Sequence, residues 1–114
     1  MKLPTILLSA LLLSTALVNA QTDFPSDSAI KVAGLQMNVT SDILKNKNRI
    51  LSGIREAAKA KAVFLVTPEG SLSGYHCNFN QQELLKAMEE VVSYAKELKI
   101  GLMLGTCFKN DKEL

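Results

Sequence analysis

Tryptophan is absent, histidine occurs once, and only two cysteines, two tyrosines and four phenylalanines are spread over the 114 residues. Two cysteines are too few to define a disulfide scaffold, and their spacing leaves open whether Cys77 and Cys107 pair. Tyr75, Tyr94 and the phenylalanines do not interleave with basic residues, and the formal net charge is only +2. That balance gives no electrostatic reason to expect nucleic acid or an anionic membrane as a partner. Internal repeats, low-complexity tracts and signals for a second domain are missing too. The one long hydrophobic run, Ile6 to Val18, is shorter than the roughly 20 residues a membrane-spanning helix needs.

That run has another reading. Lys2 gives it a positive start, and Val18 and Ala20 stand at the small-residue positions of a cleavage site. Residues 1–20 are therefore expected to be a signal peptide, cleaved near Ala20. The mature chain would be exported, periplasmic or extracellular, with no membrane segment. Residues 21–29, "QTDFPSDSA", are polar and read as a linker ahead of a domain over 30–114.

Within that domain the hydrophobic period changes along the chain. "IKVAGLQM" (30–37) reads as a strand, with Ile30, Val32 and Leu35 among small residues as in a strand covered on both faces. "SDILKNKNRILSGIREAAKAKA" (41–62) reads as a helix capped by Ser41 or Asp42, with Ile43, Ile50, Ile54 and Ala57 in one stripe. "AVFLV" (62–66) is a short buried strand that ends at Pro68. Asn80 and Glu83, at capping-box spacing, precede a second helix with Leu84, Leu85, Met88, Val91, Val92, Ala95 and Leu98. "IGLMLGT" (100–106) gives a third strand. The order βαβαβ calls for a parallel sheet with right-handed crossovers, an α/β fold.

Ligand chemistry in such sheets collects beyond the carboxyl ends of the strands. There stands Glu69, in "VFLVTPEGSLSGY" (63–75). Pro68 fixes its own φ and holds Thr67 extended, while Gly70 and Gly74 allow tight turns or close approach. A carboxylate partly withdrawn from water by such a wall would be suited to general-base work. Composition alone equally allows an ordinary solvated loop acid.

The residues Gln36, Asn48, Pro68-Glu69, Gly74-Tyr75 and Gly105, in this βαβαβ frame from Ile30 to about Phe108, resemble the first half of the nitrilase, or carbon-nitrogen hydrolase, superfamily. The resemblance implies the N-terminal portion of a four-layer α-β-β-α sandwich and a Glu-Lys-Cys triad. Glu69 would match the glutamate, the general base on a cysteine thiol. The thiolate would attack a small non-peptide amide or nitrile, an amide being the wider class, and water would hydrolyse the thioester. No metal or organic cofactor is implied, and a homo-oligomer is. The rival reading is a non-catalytic exported α/β module binding a ligand or partner at its strand ends, or an inactive fragment.

The lysine and cysteine of that triad would lie farther along than Leu114, so the chain is expected to be the first portion of a longer enzyme. Cys77 and Cys107 match neither position. A His76-Cys77 catalytic pair is disfavoured because adjacent side chains on extended backbone point apart. Lys109 and Lys112 are expected to be solvated charges, and Tyr75 to line a pocket or pack. Asn48 lies on the Leu44–Leu51 side of its helix and is expected to be a partly buried, hydrogen-bonded amide. Asn38-Val39-Thr40 is a glycosylation sequon only in a eukaryotic host, and the terminal "DKEL" is read as accidental.

Overall fold

A computed structural model describes residues 29–110, so the expected signal peptide, most of the expected linker, Lys112 and the DKEL ending lie outside the described residues. Five elements follow in the expected order: β1 (Val32–Gly34), α1 (Ile43–Lys59), β2 (Phe64–Val66), α2 (Gln81–Glu97) and β3 (Gly101–Met103). The strands form one parallel sheet in the order β1-β2-β3, with Ala33 opposite Leu65 and Leu65 opposite Leu102.

Both helices begin where side-chain caps meet free backbone amides. Asp42 accepts from the Lys45 amide at 2.9 Å, and Asn80 accepts from Gln82 and Glu83 at 2.9 and 3.1 Å. That hydrogen bond from the Lys45 amide is the main cause holding the Asp42 carboxyl below its ordinary value.

The helix ends were less legible. No glycine stops α1, and the sequence pattern runs on to Ala62. The structure stops it at Lys59, with Lys61 left-handed at φ 58°; Lys99 does the same after α2 at φ 57°. In each case two backbone bonds close a Schellman turn: Lys61 to Ala58 and Ala62 to Ala57, then Lys99 to Lys96 and Ile100 to Ala95. Ala62 and Ile100, the next residues, are buried and carry the chain into β2 and β3.

Two right-handed crossovers advancing in one direction put both helices on the same sheet face. On that face Ala33, Leu65 and Leu102 meet Ile43, Ile50, Ile54, Leu84 and Val91. The opposite face carries Val32, Phe64, Val66 and Met103, all exposed, with Phe64 at 42% and Met103 at 60%. The two-sided cover expected for the first strand is therefore absent among the described residues. They form one helix layer and one sheet layer, half of the four that the resemblance implies. No described helix is long and apolar enough to cross a membrane.

The helices are also tied by Lys47 of α1, which donates to the Glu90 carboxylate of α2. That bond is the main reason the Glu90 carboxyl lies below its ordinary value of 4.5. Its contribution to stability is present above that value and lost as pH falls through the lower folded value. Lys47→Met is accordingly expected to make the acid-side loss of stability shallower, measured by urea denaturation from neutral pH downwards. Lys61→Gly and Lys99→Gly are each expected to raise stability by about 0.5–1 kcal/mol, the left-handed cost less the added freedom of the unfolded chain.

Candidate functional site

β2 ends at Val66, and Thr67 continues its pairing by donating from its amide to Met103 O at 3.0 Å. The chain then turns over Pro68, Glu69, Gly70 and Ser71, closed by the Ser71 amide donating to Pro68 O at 3.2 Å. Gly70, third in the turn, has φ +61°, the requirement of a type II turn. Glu69 occupies the second position, at the apex.

Gly105, past the end of β3, lies directly against this turn. A Cβ there would overlap the Pro68 carbonyl oxygen and stand 2.8 Å from its carbon and 2.9 Å from Glu69 Cα. Glycine at 105 is thus what allows the two backbones to touch. Gly74 has the same role on the next loop: its φ is +82°, and a Cβ would stand 2.7 Å from Thr40 O.

Glu69 itself is exposed, and the partial withdrawal from water expected of it is not present among the described residues. The physical reason is the open sheet face. Glu69 borders a shallow depression lined by Val66, Thr67, Met103, Leu104 and Gly105, in which Val66 and Met103 are themselves exposed. A groove of about 650 Å³ lies elsewhere, between Leu51 and Arg55 of α1 and Tyr94 and Glu97 of α2. All of its lining residues belong to α1 and α2 and none to a strand end, so the glutamate and not the groove marks the candidate site.

The buried amide of this region is Asn46, not Asn48. Asn48 is exposed, whereas Asn46 has no exposure at all. Asn46 Oδ1 accepts from the Thr40 amide and hydroxyl, both at 3.0 Å, and Nδ2 donates to Thr40 O at 2.7 Å and Leu72 O at 3.1 Å. Every hydrogen-bonding position of the amide is used. The signal was present in the helical phase, since 43, 46, 50, 54 and 57 make one continuous stripe and Asn48 lies about 200° round from Asn46. Asn46 thereby joins the β1–α1 loop to the loop that follows Glu69.

Other side chains fall differently from expectation. Lys109 is not a solvated charge: its Nζ donates to Phe79 O at 2.7 Å and stands 4.9 Å from the Phe79 ring centroid. Tyr75 is exposed, as is Gln36. His76 meets Phe79 edge-on at 6.3 Å, and its Nε2 is buried without a partner. Cys77 and Cys107 are both free thiols. Cys77 is exposed, and Cys107 donates from Sγ to Gly74 O at 3.7 Å. Asn38 of the sequon is exposed, while its Thr40 is committed to the Asn46 network.

Residues 31–113 match the family model described as Carbon-nitrogen hydrolase. No match is found among curated proteins or among solved structures.

Asn46→Ala is expected to destabilise the fold by about 2–3 kcal/mol, because it strands buried Thr40 and Leu72 backbone groups. Asn48→Ala should stay within about 0.5 kcal/mol of wild type. Thermal or urea denaturation of the two variants checks the contrast.

Proposed function

Because the chain belongs to the carbon-nitrogen hydrolase family, we propose that Glu69 is the general base of a Glu-Lys-Cys triad that hydrolyses a small non-peptide amide, or less broadly a nitrile. The observation that carries the reading is the pairing of Glu69 with Gly105. A carboxylate is set at the apex of a turn, at the carboxyl end of the central strand, where a neighbouring glycine admits the backbone that holds it. Placement at that end suits chemistry in a parallel sheet.

The carboxylate would take the proton of a cysteine thiol, of which only a few per cent is ionised at neutral pH. The thiolate would add to the amide carbon while a lysine supports the developing charge. The C–N bond would then break, the amine leaving with the proton the carboxylate had taken, and water would hydrolyse the thioester to the acid and the free thiol. Neither Cys77 nor Cys107 is assigned as that nucleophile. For the described residues the proposal is confined to the base. Export of the protein, with cleavage near Ala20, belongs to the same proposal and is supported by the Lys2–Ala20 sequence pattern.

In a polypeptide carrying all three triad groups, Glu69→Gln is expected to lower turnover of a simple amide by about 10²–10⁴ while leaving the melting temperature unchanged. Wild-type turnover in that variant would remove Glu69 from the mechanism. N-terminal sequencing of the secreted protein should begin at Gln21.

A further inference from the structure

With its carboxylate exposed, Glu69 is held through the backbone of its turn, and the structure shows what holds that backbone. Along β3 the amide donors that face β2 come every second residue: Gly101 donates to Val63 O at 2.8 Å. The same step places the Gly105 amide opposite the Thr67 carbonyl. Gly105 donates instead to the Thr67 hydroxyl, Oγ1, at 2.9 Å. The side chain of Thr67 therefore takes the last rung of the ladder, and the Thr67–Pro68 peptide leaves it to begin the turn.

A second hydroxyl closes the arrangement. Ser71 is fully buried, and its Oγ lies 2.8 Å from both Thr67 Oγ1 and Gly105 O, with one proton to give to either. Thr67 and Ser71 flank Glu69 by two residues on each side, and both bind Gly105, just past the end of β3. The Leu72 amide adds a longer bond to Gly105 O at 3.4 Å. An exposed loop acid has no need of two buried hydroxyls on a common partner. A base that must meet a thiol within a few tenths of an ångström does.

We propose that Thr67 and Ser71 are positioning residues for the base: their hydroxyls lock the Pro68–Gly70 turn onto Gly105 and so fix where the Glu69 carboxylate stands. The proposal rests on the reading of Glu69 as the base. The role proposed for both is exerted through the backbone of the turn.

The test compares kcat and KM for a short-chain primary amide in a polypeptide carrying all three triad groups, as wild type, Glu69→Gln, Thr67→Val, Thr67→Ser and Ser71→Ala. Thr67→Val keeps shape and removes the hydroxyl. It and Ser71→Ala are expected to lower kcat by about 10–100-fold with KM changed less than about twofold, as for a displaced catalytic group. Thr67→Ser, which restores the hydroxyl, is expected to return kcat to within about threefold of wild type. Should Thr67→Val not fold, Ser71→Ala, assayed well below its melting temperature, decides alone. Wild-type kcat in Thr67→Val and Ser71→Ala, beside an inactive Glu69→Gln, overturns the positioning role and leaves the base intact. A fully active Glu69→Gln overturns the base and the positioning role together.

Discussion

Where β3 runs out beside β2, the Gly105 backbone lies against the Pro68–Glu69 peptide with no space for even a methyl group. That contact orders the loops at this end of the sheet. With the two chains so close, Thr67 Oγ1 reaches the Gly105 amide and Ser71 Oγ reaches the Gly105 carbonyl. Farther along, Ser73 Oγ accepts from the Cys107 amide at 2.8 Å, and Gly74 packs on Thr40. Asn46 then binds both Thr40 and Leu72. The loops after β1, β2 and β3 are thus one hydrogen-bonded piece, and Glu69 is the acid it presents.

The same geometry explains why the acid emerges into an open surface. Consecutive right-handed crossovers advancing one way stack α1 and α2 on a single face, where Leu65 is buried beneath them. The other face keeps Phe64, Val66 and Met103 in contact with water. A carbon-nitrogen hydrolase domain is expected to cover such a face, so the exposure of Glu69 and that of its apolar neighbours are two aspects of one uncovered layer.

Much of this was legible because it depends on local pattern. Ile43, Ile50, Ile54 and Ala57 repeat at helical spacing, Asn80 is a strong cap, and the run before Pro68 has the length and composition of a strand; each lies where the pattern puts it, although in β2 only Leu65 is buried. Glu69 was singled out by its place after that strand and by its Pro and Gly neighbours, though the withdrawal from water expected of it is not seen among the described residues. What escaped depends on partners distant in sequence. Nothing near Lys61 or Lys99 announces a left-handed residue, since the turn is imposed by the return of Ala62 and Ile100 to the core. Asn48 was preferred to Asn46 because it shares the Leu44–Leu51 side, whereas Leu44 is exposed and the buried stripe runs through Ile43, Asn46, Ile50 and Ile54. Lys109 resembles any surface lysine until Phe79, thirty residues earlier, arrives beneath it. The Thr67 and Ser71 hydroxyls look like ordinary turn chemistry in sequence, and only their shared partner Gly105, past the end of β3, distinguishes them.

The role proposed for Glu69 requires this assembled loop cluster to deliver it to a thiol. It is tested most directly by a crystal structure of a polypeptide carrying all three triad groups, trapped as its acyl-enzyme. The Glu69 carboxylate is expected within hydrogen-bond reach, about 2.6–3.2 Å directly or through one water, of the group exchanging a proton at the acylated cysteine. The Pro68–Gly70 turn should still be seated on Gly105. A carboxylate left in bulk solvent, remote from the acylated sulfur, would contradict it.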